Sequence, residues 1–164
     1  MKIMIVSDSH GRCFYLEKAY RRVKPVDMII HLGDLEGDAD YVKSFAECPV
    51  YMVAGNNDFF VPLPRDLMIN IGKYKVFLTH GNKYGVNYGV DTIKEAAGER
   101  GADIVMFGHT HIPLIDVTGE IWAVNPGSIT LPRQEGRIPT FIIMDIDRFG
   151  DAHFTLEYED DKFD

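Results

Sequence analysis

The sequence predicts a layered α/β fold with two packed β-sheets in one domain, residues 1–164. Three observations carry that prediction. Short apolar runs first alternate with helical patterns, the arrangement of a sheet with helices on its faces. After residue 111 the helical patterns stop, and strand-like runs follow one another across short turns. Of the 164 residues 46% are apolar and 12% aromatic, ample for a continuous core in a chain of single-domain length.

The elements follow in order. Lys2 to Val6 is a buried strand that runs into Ser7-Asp8-Ser9-His10-Gly11. Gly11 to Val23 is predicted helical, because Leu16, Ala19, Tyr20 and Val23 fall at i, i+3, i+4 and i+7; Lys24-Pro25 stops it. Met28 to Leu32 is a second strand, ending in Gly33-Asp34. Asp38 to Glu47 is a second helix with Val42, Phe45 and Ala46 inward and Asp38 or Asp40 as its cap. Pro49 ends it, and Val50 to Ala54 is a third strand, running into Gly55-Asn56-Asn57-Asp58. Phe59 to Arg65 is irregular, with Pro62 and Pro64 holding it extended. Leu67 to Ile71 and Lys75 to Thr79 form a hairpin across Gly72-Lys73, and the second strand ends at His80-Gly81. Asn82 to Gly89 is a glycine-rich loop. Asp91 to Arg100 is a short helix capped by Asp91 and stopped by Gly101. Ile104 to Phe107 is a buried strand followed by Gly108-His109-Thr110-His111. Leu114 to Val117, Ile121 to Val124, Phe141 to Ile146 and His153 to Tyr158 are strands, separated by turns such as Thr118-Gly119 and Phe149-Gly150. Glu157 to Asp164 reads as an acidic, solvated, frayed tail.

The formal net charge of −8 argues against stable nucleic-acid binding, which needs a basic face. A phosphate substrate remains compatible, because a bound metal reverses the field locally. Cys13 and Cys48 form no Cys-x-x-Cys pair and read as reduced packing residues of a cytoplasmic protein. No apolar run approaches a membrane span, and no signal-peptide pattern opens the chain. A cytoplasmic location without membrane partners is therefore expected.

Five buried runs end in polar residues with a glycine beside them: Asp8-Ser9-His10, Gly33-Asp34, Gly55-Asn56, His80-Gly81 and Gly108-His109-Thr110-His111. Asp8 and His10, two apart in an extended segment, project to one side, at a strand end where open α/β sheets keep their sites. Each residue alone has a plainer reading as a turn or a hydrogen-bonded core group. Together the series is a poor match to chance, since four of the six histidines fall at these positions. If the strand ends converge, Asp8, His10, Asp34, Asn56, His80, His109 and His111 form a ligand set too large for one ion and suited to two. Its imidazoles favour manganese, nickel, iron, cobalt or zinc, with manganese placed first, over magnesium or calcium.

The ordered series Asp8-x-His10, Gly33-Asp34, Gly55-Asn56-x-Asp58, His80 and Gly108-His109-x-His111 resembles the signature of calcineurin-like metallophosphoesterases. Asn125-Pro126-Gly127-Ser128, followed by Pro132-Arg133, is similar to the small YfcE-type phosphodiesterase branch. The resemblance covers nearly the whole chain. It implies a two-sheet β-sandwich flanked by helices, a four-layer α/β fold, with a binuclear metal centre. On that pattern Asp8, His10 and His111 hold one metal, Asn56, His80 and His109 the other, and Asp34 bridges them. The implied reaction is hydrolysis of a small phosphate ester by in-line attack of a metal-bridging hydroxide. A dimer or larger homo-oligomer is expected by the same analogy, with Trp122 as a candidate apolar edge, though an internal sheet contact explains Trp122 equally well.

Asn57 departs from the family pattern, in which a histidine follows the motif asparagine. An amide donates a hydrogen bond but supplies no proton at neutral pH, so weak action on monoesters and a preference for diesters with good leaving groups are expected. Asn57 and Asp58 are taken as the catalytic pair, and Asn57, Ser128 and Arg133 as substrate contacts; Asp58 also has readings as an orienting group or a turn residue, Ser128 as a turn residue, and Arg133, like Arg137, as a solvated loop cation. His31 reads as a buried hydrogen-bonded support, Ser9 and Thr110 as local hydrogen-bonders, and His153 as surface. Two alternatives stand beside the esterase: a protein-interaction scaffold of the retromer-subunit type, and a nucleotide-specific phosphatase.

Overall fold

The computed structural model describes residues 1–159, so residues 160–164 of the predicted tail lie outside the described part. Ten strands and three α-helices are formed among the described residues. In order they are β1 (Lys2–Val6), α1 (Phe14–Val23), β2 (Met28–His31), α2 (Ala39–Phe45), β3 (Val50–Met52), β4 (Asp66–Ile71), β5 (Tyr74–Thr79), α3 (Asp91–Glu99), β6 (Ile104–Met106), β7 (Pro113–Asp116), β8 (Trp122–Pro126), β9 (Thr140–Ile146) and β10 (Ala152–Tyr158).

The strands make two five-stranded sheets, β10-β9-β1-β2-β3 and β4-β5-β6-β8-β7. Residue alternation in the central strands explains the layering. Ile3 and Ile5 of β1 face a core shared with Val76 and Leu78 of β5 and Ile104 and Met106 of β6, which fills the space between the sheets. Met4 and Val6 point the other way, onto Leu16, Ala19 and Tyr20 of α1 and Val42 of α2. On the far side Phe77 and Val105 pack against Ile93 and Ala97 of α3. The order is helices, sheet, sheet, helix. Strands buried on both faces show continuous apolar runs instead of alternation, which is why the early runs were easy to find.

Several expectations change. The late strands do not form an antiparallel unit of their own: β8 runs parallel to β6, while β9 lies antiparallel to β1 and closes the first sheet with β10. No side-chain cap from Asp38 holds α2; its Oδ2 accepts the Cys13 N–H instead and ties α2 to the start of α1. Val90 caps α3, and Asp91 is its first helical residue. Trp122 is half-buried, with ring centroids 5.6 Å from Tyr74 and 6.2 Å from Phe154, so it makes the internal sheet contact that is the other reading of this residue. The start of the supposed tail is ordered: Glu157 and Tyr158 belong to β10, and Glu159 is buried against Arg22. No helix among the described residues is long and apolar enough to cross a membrane.

Candidate metal centre

β1, β2 and β3 run parallel, and β5 runs parallel to β6, so all five motif loops leave the same ends of their sheets. The loops are stitched together by backbone bonds. Asp8 N–H donates to Gly33 C=O at 3.0 Å, His10 N–H to Asp34 C=O at 2.9 Å, and Gly108 N–H to His80 C=O at 2.9 Å. The His109 N–H reaches Asp8 Oδ2 at 3.1 Å and links the two sheets.

The convergence of Asp8 and His10 does not come from an extended segment. Asp8, His10, Asp34, His109 and His111 all take left-handed backbone conformations, with φ between 46° and 70°. Such φ values are uncommon outside glycine, cost free energy, and cluster at functional sites. Glycines at the cluster sit so close to it that only hydrogen fits in place of a side chain. A Cβ on Gly108 would lie 2.0 Å from Ser7 Oγ and 2.7 Å from Asp8 Oδ2, and one on Gly55 would lie 2.1 Å from Asp34 Oδ1.

Partner chemistry fixes the histidine tautomers. His10 Nδ1 lies 2.8 Å from Glu36 Oε1, His80 Nδ1 is 2.7 Å from Leu32 O, and His111 Nδ1 is 2.7 Å from Leu131 O. Each partner only accepts, so each Nδ1 carries the hydrogen and each Nε2 is a bare lone pair. Those lone pairs meet. His10 Nε2 and His111 Nε2 are 3.2 Å apart. Asp8 Oδ1 lies 3.2 Å from His111 Nε2, 3.8 Å from His10 Nε2 and 3.9 Å from His80 Nε2. Asp34 Oδ2 lies 3.4 Å from His80 Nε2 and 3.9 Å from His10 Nε2. Asp8 Oδ1 and His80 Nε2 are buried with no hydrogen-bond partner. A set of acceptors aimed at one another is unstable without a cation, so these residues fit divalent metal. Asp8, His10 and His111 form one potential ligand group, and Asp8, Asp34 and His80 a second. Asp8 Oδ1 thus reaches both groups, as does Asp34 Oδ2.

Burial works to raise the Asp8 carboxyl, but the imidazoles of His111 and His80 beside it hold it below its ordinary value. Asp34 is held low too: burial opposes, and the neighbouring His80 imidazole and the two hydrogen bonds from Asn57 outweigh it. His109 is pushed down, chiefly by burial. Its Nδ1 lies 3.1 Å from Asn56 Oδ1 and its Nε2 3.4 Å from Asn87 Nδ2.

Asn57 faces the site. Its N–H and Nδ2 donate to the two oxygens of Asp34, at 2.9 and 2.8 Å. Asp58 does not face it. It accepts the N–H groups of Asp34, Gly55 and Glu36 at 2.7 to 2.8 Å, so it holds the loops together. Ser128 is likewise corrected from a substrate contact: it is fully buried, donates to Asp8 C=O at 2.7 Å and accepts the Leu131 N–H. Arg133 is exposed and connects to the centre only through its N–H on His111 C=O at 3.0 Å. His31 supports from beneath, accepting the Gly33 N–H on Nδ1 and donating from Nε2 to Ser9 Oγ at 2.8 Å. His153 pairs with Asp147 on the surface. Thr110 Oγ1 accepts from Asn125 Nδ2. Sequence reading passed over Glu36, Asn87 and Thr130, whose Oγ1 donates to Asp8 C=O at 3.0 Å; Glu36 sits two residues after Asp34 and offered a signal as a carboxylate beside the motif, whereas the other two offered none.

Residues 1–148 match the family model described as calcineurin-like phosphoesterase superfamily domain. The probable metallophosphoesterase YsnB of Bacillus subtilis is 37% identical over 134 residues, covering 81% of this chain and 78% of YsnB. The phosphodiesterase YfcE of Escherichia coli is 34% identical over 158 residues, covering 81% and 82%. A predicted phosphoesterase from Streptococcus pneumoniae superimposes with a TM-score of 0.79 at 32% identity, covering 96% of this chain and 87% of that one. Zinc-complexed Vps29 from Entamoeba histolytica has the same fold, with a TM-score of 0.76 at 20% identity, covering 96% and 99%.

Proposed function

The chain belongs to the calcineurin-like phosphoesterase superfamily, and from that premise we propose that it is a metal-dependent phosphodiesterase acting on small phosphodiesters. The proposed centre takes two divalent transition-metal ions, manganese first, on Asp8, His10, Asp34, Asn56, His80, His109 and His111. The observation that carries the reading is the cluster of bare acceptors around Asp8 Oδ1, with His10 and His111 Nε2 only 3.2 Å apart. Ions bound there supply Lewis acidity toward phosphoryl oxygens and a water acidified enough to attack phosphorus.

The protein's own groups then set selectivity. Asn57 uses one amide hydrogen to hold Asp34 Oδ2 and has a second for a phosphoryl oxygen, but no proton to give a departing alkoxide. Esters with good leaving groups are therefore favoured, and monoesters of ordinary alcohols disfavoured. The intact donor set favours this reading over the scaffold reading suggested by Vps29.

A screen of bis-p-nitrophenyl phosphate, p-nitrophenyl phosphate and alkyl monoesters across manganese, nickel, cobalt, zinc and magnesium tests it. Metal-dependent diester hydrolysis is expected, abolished by chelation and restored by manganese. Asn57→His is expected to raise rates on poor leaving groups by about 10²-fold or more, the usual worth of general acid help. Absence of metal-dependent hydrolysis of any ester overturns the proposal.

A further inference from the structure

A cleft of about 260 Å³ opens beside the metal-binding loops, between the Val86–Val90 loop and the start of β7. Thr110, which lies between His109 and His111, forms part of its wall, and so does Asn87, 3.4 Å from His109 Nε2. The rest of the wall is mostly apolar, with Val86, Val90, Phe107, Ile112 and Leu114, and no lining residue is charged. Its polar members are largely spoken for. Thr110 Oγ1 accepts Asn125 Nδ2 at 3.0 Å and the Ile112 N–H at 3.1 Å, and Asn125 also binds Gly108 C=O and the Gly127 N–H. What the cleft offers a ligand is therefore chiefly apolar surface. A second cleft differs, its lining including the carboxylates of Glu36 and Asp58.

We propose that this uncharged cleft is the subsite for one ring-sized, uncharged organic substituent of the phosphodiester, an aryl group or a nucleobase. The assignment rests on the phosphodiesterase reading. The charged phosphoryl group belongs among the cation ligands, and the neighbouring neutral surface suits the neutral part of the same molecule. The volume lies below the range of about 300–1,000 Å³ that holds a whole drug-sized ligand, so it selects a single ring.

Methyl and phenyl p-nitrophenyl phosphate share a leaving group and differ only in the substituent meant for the cleft. After correction for their uncatalysed rates, the phenyl ester is expected to have a kcat/KM roughly tenfold or more above the methyl ester, through KM. Leu114→Asp, at a partly exposed edge-strand position, is expected to bring that ratio toward one, and Leu114→Met to keep it. A ratio near one in the unaltered protein, or one that survives Leu114→Asp, overturns the proposal. Calorimetry with diphenyl and dimethyl phosphate on the manganese-loaded protein separates the two readings. A binding margin without hydrolysis keeps the cleft and removes the phosphodiesterase; hydrolysis without a margin does the reverse; neither removes both. Thymidine 5′-(p-nitrophenyl phosphate) distinguishes the ring's source: a kcat/KM above the phenyl ester's assigns a nucleobase, and one below it an aryl group.

Discussion

The two halves of the proposed metal centre differ in how far they are built in advance. In the half made by Asp8, His10 and His111, both imidazoles have their Nδ1 hydrogens engaged, by Glu36 and by Leu131 C=O. Both Nε2 lone pairs therefore converge with Asp8 Oδ1, within 3.2 to 3.8 Å of one another. In the half made by Asn56, His80 and His109, only His80 is prepared in this way. His109 has Asn56 Oδ1 at one nitrogen and Asn87 Nδ2 at the other. A cation entering the first half relieves facing lone pairs. One entering the second must first break the contact between His109 and Asn56. The lesson is that equal numbers of ligands do not make equal sites; the partner on the far nitrogen decides which lone pairs are ready.

The largest expected effect follows from that difference. Manganese titration of the metal-free protein, read by calorimetry and by electron paramagnetic resonance, should show a tight ion and a weaker one. His111→Ala should weaken the tight phase by more than the roughly 10–100-fold that loss of an outer hydrogen-bond partner costs. His109→Ala should remove the weak phase and leave the tight ion bound. Equal affinities for both ions, or equal losses in both variants, would break the comparison.

A smaller effect tests the cause of the inequality. Glu36 lies beyond the ligands and holds His10 Nδ1 at 2.8 Å, while its own N–H is fixed by Asp58 Oδ1 at 2.7 Å. Glu36→Gln keeps an acceptor oxygen but removes the charge that makes His10 a stronger donor. The tight phase should weaken by about tenfold, Glu36→Ala should weaken it further, and the second phase should not move. A loss spread over both phases would instead make Glu36 a general support of the loops.

These differences show where sequence reading reaches its limit. The central strands were legible because residues such as Ile3 to Val6 and Ile104 to Met106 are buried on both faces, leaving uninterrupted apolar runs. The strand-end motifs were legible because Gly-flanked Asp, Asn and His at five run ends are a chemical pattern independent of geometry. Asp58 and Ser128 were misplaced because their partners are backbone N–H and C=O groups, which every residue carries and no side-chain pattern reports. The left-handed turns at Asp8 and His10 were hidden for a related reason: φ is imposed by the bonds to Gly33 and Asp34, from another strand. The pairing of β8 with β6 likewise depends on contacts far along the chain.

The smallest expected effect concerns the support under the better-built half. His31 is fully buried, and burial pushes its pKa down to about 4 even though Asp8 and Asp58 favour its charge. Its Nδ1 accepts the Gly33 N–H, so protonation there would set two donors against each other beneath the loops that carry Asp8, His10 and Asp34. The unfolded chain binds this proton near pH 6.5, whereas the folded chain resists it down to about 4. The unfolded state therefore holds more protons between those values, and stability falls as pH falls through that window. The contribution is complete above pH 6.5, declines by about 1.4 kcal/mol per pH unit within the window, and levels off below it. His31→Gln keeps a donor toward Ser9 and does not titrate. Urea midpoints of the metal-free proteins at pH 7 and pH 5 should show the unaltered protein losing about 2 kcal/mol more than His31→Gln. Since Asp8 and His80 titrate in both proteins, the difference isolates His31. An equal loss in both would mean that His31 is not held neutral, and that the loops of the better-built half rest on something else.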